Sequence, residues 1–248
     1  MKPSLSITTR FILSSCLYLV QHAMSPLCLR CVGRSAGALL CASCVTGLPR
    51  RFNPLCGTCA APITAGSRCS ASLSDPPTYS HVCTPFAYAF PADALVQALE
   101  YRGMLAIAPL LGDAIAGSPD DRPGIIVPKP LSEARLRERG FNQAQEIARH
   151  VAKLTGLPLM PRACRKARDT QPQAALPWKE RAKNMLKAFV CDEDFSGTHV
   201  AVNNDVMTTG ATLNELARSL QQAGAARVSG LIFTRMFPDA FRRRRQHV

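Results

Sequence analysis

Residues 200–213 read Val-Ala-Val-Asn-Asn-Asp-Val-Met-Thr-Thr-Gly-Ala-Thr-Leu and carry the groups from which an anion-binding turn is built. An apolar run fit for a buried strand stops at a polar pair, Asn204 and Asp205, and Thr208, Thr209, Gly210, Ala211 and Thr212 follow. A helical pattern then runs over residues 213–223. Strand, turn and helix N-terminus in this order aim the turn's N–H groups and the helix dipole at one point, and the three threonine hydroxyls add bonds. Gly210 lets the backbone approach a ligand closely. The acid and amide just upstream suit hydroxyls beside a bound phosphate, as on a ribose. A well-capped helix after an ordinary strand explains any one threonine, but not the whole string as well.

The cysteines carry a second chemistry. Nine of the eleven lie between Cys16 and Cys83. They include three Cys-x-x-Cys pairs, Cys28/Cys31, Cys41/Cys44 and Cys56/Cys59, followed by Cys69 and Cys83. Residues 26–83 hold almost no long apolar segment, so a module there needs a metal or disulfides. Cys-x-x-Cys brings two thiolates to one tetrahedral zinc from a tight turn, and two such pairs close a structural site. The spacing predicts a first zinc site of Cys28, Cys31, Cys41 and Cys44, although pairing interleaved with Cys56 and Cys59 satisfies it too. A second site of Cys56, Cys59 and Cys69 needs a fourth ligand, which Cys83 or His81 could supply, or it stands empty. Cys16, Cys164 and Cys191 lie on apolar or basic backgrounds and read as packing residues. The five histidines are scattered, and no Cys/His or Ser/His nucleophile arrangement is visible.

The turn at residues 204–212 resembles the phosphoribosyl-pyrophosphate (PRPP) loop of type I phosphoribosyltransferases, two acids and two apolar residues before Thr-Thr-Gly-x-Thr. Two further motifs narrow the match: Val127-Pro128 followed by Arg139-Gly140-Phe141-Asn142-Gln143, and the series Arg165, Thr170, Gln173, Leu176, Arg181, Asn184 and Phe189. With the cysteine pairs, they make the chain similar to the ComF/GntX family of competence-associated proteins over residues 26–235. That family is pictured as a zinc module joined to a phosphoribosyltransferase-like domain, and is linked to incoming DNA in natural transformation. The resemblance implies that Thr208, Thr209, Gly210, Ala211 and Thr212 hold a 5-phosphate. It gives the ribose hydroxyls and the reacting centre to Asp205 and Asn204. It gives pyrophosphate, with magnesium, to Lys129 and to Arg165 or Lys166, which begin a loop that closes over PRPP. The chain departs from the family pattern twice. Asn204 replaces an aspartate: its amide still accepts from a hydroxyl but brings no charge to magnesium or to an oxocarbenium centre, so binding follows more directly than turnover. A further Cys-x-x-Cys reads Cys69-Ser70-Ala71-Ser72.

These residues need a frame. The expected fold is α/β, a mostly parallel twisted sheet of the type I phosphoribosyltransferase kind with a small N-terminal Cys-rich zinc module. The expected divisions are an apolar helix (1–25), a Cys-rich double-zinc-ribbon-like module (26–85), a phosphoribosyltransferase-like domain (86–237) and a basic tail (238–248). Residues 67–85, rich in Ser, Pro and Thr, read as loop. Strands are expected at 86–90, 125–127, 159–164, 200–202 and 228–233, and helices at 92–102, 105–115, 132–139, 141–154, 176–187 and 213–223. Arg135, Arg137 and Arg139 alternate, so they cannot all share one helical face. Alternating strands and helices argue for parallel pairing with right-handed crossovers. The ligand site of such a sheet lies at the strands' C-terminal ends, which collects Pro128, residues 165–173 and residues 204–212 on one rim.

Composition agrees with a globular chain, 47% hydrophobic and 19% charged over 248 residues. The net charge of +13 is uneven: residues 122–191 hold fifteen Lys/Arg against five Asp/Glu, and residues 242–245 are four arginines. Such a distribution suits polyanions. It supports an alternative reading, a non-catalytic single-stranded DNA-binding competence protein that reuses the phosphate cradle and meets the uptake machinery. With 6% aromatics and Trp178 as the single tryptophan, that binding would use backbone electrostatics without base readout. Lys2 and Arg10 precede the apolar run 11–20, which imitates a signal peptide but lacks a small-x-small cleavage site and is too short to span a bilayer. Residues 8–23 read as a helix packing on the small module; a start at Met24 fits as well. Export would oxidise the metal-ligand cysteines, so the expected location is cytoplasmic.

Overall fold

The computed structural model describes residues 27–35, 38–51, 54–117, 123–168 and 180–237. The expected helix at 8–23, Thr170, Gln173, Leu176, Trp178 and the arginines at 242–245 lie outside the described residues. The chain forms two compact units, Met1–Leu48 and Pro49–Val248. Cys28, Cys31, Cys41 and Cys44 fall in the smaller unit; Cys56, Cys59 and Cys69 fall in the larger. Among the described residues of the smaller unit is one short helix, α1 (Ala42–Thr46), which starts at Cys41 and stops at Gly47. A tight turn precedes it, in which the Cys28 N–H donates to the Gly33 carbonyl at 2.8 Å.

The larger unit places a short helix, α2 (Ser70–Ser74), ahead of a parallel sheet. The strands of that sheet are β1 (His81–Cys83), β2 (Phe86–Ala87), β3 (Ile125–Pro128), β6 (His199–Met207) and β7 (Arg227–Arg235), in the order β1–β7–β6–β3, with β2 also pairing with β7. The long strands β6 and β7 are buried along most of their length, their polar residues included. Helix α3 (Ala92–Arg102) is followed by α4 (Ile107–Ala116), α5 (Glu133–Arg139) and α6 (Gln143–Thr155). In α6, Ala144, Ile147, Ala148 and Val151 recur at helical spacing and are all buried. Gly112 brings α4 close to α6, since a Cβ there would lie 2.9 Å from the His150 Cβ. After the short α7 (Arg181–Met185), α8 (Ala211–Gln222) packs Leu213 onto β7, where a Cβ at Gly230 would lie 2.8 Å from Leu213 Cδ2.

Several boundaries differ from the sequence expectation. β6 does not stop at Asn204 but runs on to Met207, because the sheet satisfies its polar residues: Asn203 Nδ2 donates to the Leu231 carbonyl (3.1 Å), and the Thr234 hydroxyl donates to the Asp205 carbonyl (3.3 Å). The strand expected at 159–164 is reduced to one parallel bridge, Leu159 to Ile126. The chain instead forms β4 (Cys164–Lys166), antiparallel to β5 (Phe189–Cys191). Cys164 and Cys191 are therefore not separate packing residues. The register sets them opposite each other with Cα atoms 4.2 Å apart, and they are joined as a disulfide. Among the described residues no helix is long and apolar enough to cross a membrane.

Candidate functional site

The C-terminal end of β6 is the centre of the site. Asn203, Asn204 and Asp205 are all buried. Asn204 Nδ2 donates to the Val206 carbonyl at 2.6 Å, while its Oδ1 is buried without a hydrogen-bond partner. Asp205 Oδ1 accepts from the Val206 N–H (2.9 Å), and Oδ2 accepts from Gln143 Nε2 (3.4 Å). Gln143 opens α6 and is itself almost fully buried, so the helix that follows β3 and α5 holds the acid of β6 in place. A buried amide oxygen without a partner is costly unless something else donates to it.

Beyond Met207 the chain turns through Thr208 and Thr209 into Gly210, whose φ of +87° favours glycine. Gly210 is the N-cap of α8 and has no side chain to cover the first-turn N–H groups; that turn also holds no acid. Thr209 Oγ1 accepts from the Ala211 N–H at 3.2 Å. The end of a twelve-residue helix with open donors and no carboxylate is electrostatically suited to an anion.

A cavity of about 900 Å³ opens over this end of the sheet. Asn204, Asp205, Thr208, Gly210, Ala211 and Thr212 line it; Thr209, turned to its capping bond, does not. Lys129 enters from the turn after β3, where its N–H donates to the Asn203 carbonyl (2.9 Å) and its carbonyl accepts from Asn142 Nδ2 (3.0 Å). Arg135 and Arg139 enter from one face of α5, and Lys166 and Arg181 from β4 and α7. Arg139 is anchored by Glu100 at 2.9 Å, whereas Arg137 stays on the exposed side facing Glu133 at 3.8 Å. The alternation of the three arginines thus resolves as the spacing requires. With Arg102, six cations face Glu100, Glu138 and Asp205 across the cavity. Arg165 is not among them: it points to Asp192, at 2.8 Å, on the exposed side of the β4–β5 ribbon. Alternation along a strand sends Arg165 and Lys166 to opposite faces, and only Lys166 reaches the cavity.

Among the described residues two cysteine groups could hold a metal. A tetrahedral zinc with Zn–S bonds of about 2.3 Å places its sulfurs about 3.8 Å apart. Cys31 and Cys41 are 3.7 Å apart in a group completed by Cys28 and Cys44, all four sulfurs within 4.8 Å of one another, so the donor set suits a tetrahedral zinc. Backbone N–H groups of Cys31 and Cys41 hold the Cys28 thiol down to about 6, while burial pushes Cys44 up to about 12. In the second group Cys59 and Cys69 are 3.5 Å apart, with Cys56 as the third member. Burial raises Cys56, but the N–H groups of Cys59 and Cys69 outweigh it and bring the thiol to about 6. Cys83 is not gathered with these three: it is buried in β1, in register with Leu231 of β7. His81 opens the same strand, beside Ser80. The Ser/Pro/Thr composition of residues 67–85 hides a core strand, and with it the reason Cys83 is buried. Gln143, Arg139 and Arg181 stand in the motifs that carry the resemblance but have no role there as site residues, and nothing in the sequence marks Arg135 as one.

No family model matches the chain. It is 26% identical to Competence protein F of Haemophilus influenzae over 215 residues, 81% of this chain and 93% of that protein. It is 29% identical to DNA utilization protein YhgH of Escherichia coli K12 over 198 residues, 76% of this chain and 87% of that one. A shorter match, 33% over 119 residues and 46% of each chain, relates it to Competence protein ComFC of Bacillus subtilis.

Proposed function

The chain belongs to the ComF family of competence-associated proteins, and from that premise we propose that it binds PRPP in the cavity at the end of β6 and acts in DNA uptake. The observation that carries this reading is the convergence on one cavity of an acid–amide pair, an open helix N-terminus and cations from five other segments. Thr208, Thr212 and the N–H groups of the turn at Gly210 would take the 5-phosphate. Asp205 and the unpartnered Oδ1 of Asn204 would take the ribose hydroxyls. Lys129, Arg135 and Lys166 would take pyrophosphate, where magnesium, when bound, supplies charge neutralisation between the phosphates. Phosphoribosyl transfer breaks the bond from C1 of the ribose to pyrophosphate and forms one to a nitrogen acceptor. Positive charge develops at the ring, and Asp205 stabilises it electrostatically. Asn204, lacking charge, contributes orientation rather than stabilisation, so binding is the primary expectation and transfer to a nitrogenous acceptor the secondary one.

The cysteine groups serve as structural zinc sites in this reading, and thiol ligands fit a cytoplasmic location. The second reading, single-stranded DNA held by the basic segment, is favoured by the fifteen Lys/Arg of residues 122–191. Titration calorimetry of PRPP with magnesium tests the first reading, and a salt-dependent filter-binding assay tests the second.

A further inference from the structure

The second cysteine group contains a fourth side chain. Ser72 Oγ lies 3.6 Å from Cys56 Sγ and 3.3 Å from Cys69 Sγ, and the Ser72 N–H donates to Cys69 Sγ at 3.4 Å. Ser72 is buried, and Cys69-x-x-Ser72 repeats the spacing of Cys56-x-x-Cys59. Helix α2, capped by Cys69, aims the hydroxyl at the sulfurs. Three thiolates and a neutral hydroxyl around a divalent ion leave one net negative charge, whereas four thiolates leave two.

Beside this group sits a buried cation. Arg235, the last residue of β7, is 6% exposed. Its hydrogen bonds go to backbone carbonyls: Nε to Cys59 (3.1 Å), and Nη1 to Met207 (3.1 Å), Thr208 and Met236 (2.7 Å). A guanidinium taken out of water needs a counter-charge as well as acceptors, and among the described residues no carboxylate is a hydrogen-bond partner of Arg235. One side chain therefore spans the carbonyl of a candidate metal ligand and the carbonyls that open the turn at residues 208–212. A second link runs parallel to it. The Thr78 N–H donates to Asn214 Oδ1 in the first turns of α8 (2.6 Å), and Tyr79 Oη lies 3.1 Å from the place a Cβ of Gly210 would occupy.

We propose that Ser72 is the fourth corner of a three-thiolate metal site at Cys56, Cys59 and Cys69, and that Arg235 is the positioning residue that transmits its occupancy to the turn at residues 208–212. With the ion bound, the Cys59 carbonyl is fixed on Arg235 Nε beside a site of one net negative charge, and the guanidinium holds the Met207 and Thr208 carbonyls so that the N–H groups beyond them face the cavity. Without it, Cys59 is no longer tied to Cys56 and Cys69, its carbonyl loses its fixed place on Arg235 Nε, and the turn loosens. The consequence for an anion in the cavity rests on the PRPP reading; the consequence for the turn does not.

The test uses the full chain, with zinc measured by elemental analysis and amide exchange followed at residues 207–212. Wild type carries two zinc ions per chain, and Cys69→Ala carries one. Emptying the second site in this way speeds exchange at 207–212 by about tenfold or more and weakens PRPP by a similar factor. Ser72→Cys keeps two ions and surrenders the second to a chelator more slowly. Arg235→Met loses the second ion at lower chelator concentration and reproduces the fast exchange, and Arg235→Lys partly restores both. Should Arg235→Met fail to fold, Cys69→Ala and chelation of wild type carry the same comparison. Equal zinc in wild type and Cys69→Ala, or unchanged exchange at 207–212 once the second ion is gone, overturns the proposal. Fast exchange on emptying the site in a chain that binds no PRPP at all upholds it and removes the PRPP reading instead.

Discussion

Replacing Gly210 by alanine separates an anion-binding turn from a mere helix cap. At φ +87° an L-residue carries a backbone cost of about 1–2 kcal/mol. The new methyl would also lie 2.7 Å from Met207 Cε and 3.1 Å from Tyr79 Oη. Met207 Cε is the tip of a flexible chain and can swing away, but Tyr79 is buried and held by packing. We expect Gly210→Ala to lose about 2 kcal/mol of stability, because the rotation that relieves the clash also turns the peptide N–H groups away from the cavity. Affinity for PRPP with magnesium should then fall more than tenfold, which corresponds to about 1.4 kcal/mol or more. The control is Gly156→Ala. That glycine has φ +72° and closes the far end of α6, and a methyl added there would meet no atom within 4 Å. It should lose a comparable backbone term, about 1–2 kcal/mol, with unchanged PRPP affinity. Urea denaturation and calorimetric titration on both variants make the comparison. If Gly210→Ala loses stability but keeps PRPP affinity within threefold of wild type, the turn only caps α8 and the site assignment fails.

Asn204→Asp should raise PRPP affinity about tenfold in magnesium by restoring a second carboxylate. Without magnesium it should lower the melting temperature, because the donor to the Val206 carbonyl is lost beside Asp205. A gain absent in magnesium titrations would mean the pocket serves another ligand. Zinc affinity should depend more steeply on pH below about 6. Cys28 and Cys56, both held near 6, are already ionised above that value, whereas below it each must release a proton on binding. A competition assay from pH 5 to 8 should show about one further power of ten per pH unit for each site in the acid range; a constant slope would contradict it. Deleting residues 241–248 removes four arginines and should flatten the log–log salt dependence of single-stranded DNA binding by up to about 2.8, with PRPP binding intact. An unchanged slope would assign the tail no role in DNA contact.

The helices that frame the site were legible because their apolar spacing and stops are local: Gly103 and Gly156 end α3 and α6 in left-handed conformation, close to the expected limits. The turn at residues 208–212 was legible because its residue types have few other uses together. What was missed depended on tertiary partners. The polar end of β6 reads as a break until Leu231 and Thr234 satisfy it. Cys164 and Cys191 read as single residues until an antiparallel register sets them face to face. Arg165 and Lys166 are equivalent as a basic pair, and only the direction of β4 tells that Lys166 lines the cavity while Arg165 meets Asp192. Arg235 at the end of an apolar strand gives no hint in sequence that three separate carbonyl-bearing segments converge on it.

The central claim is that the cavity at the end of β6 is a PRPP site. Its most direct measurement is calorimetric titration of PRPP into the zinc-loaded full chain, with and without magnesium. Saturable binding of one PRPP per chain, weakened sharply when magnesium is withheld, is the expected result. A folded, zinc-loaded chain that gives no saturable binding at millimolar PRPP and magnesium would contradict it.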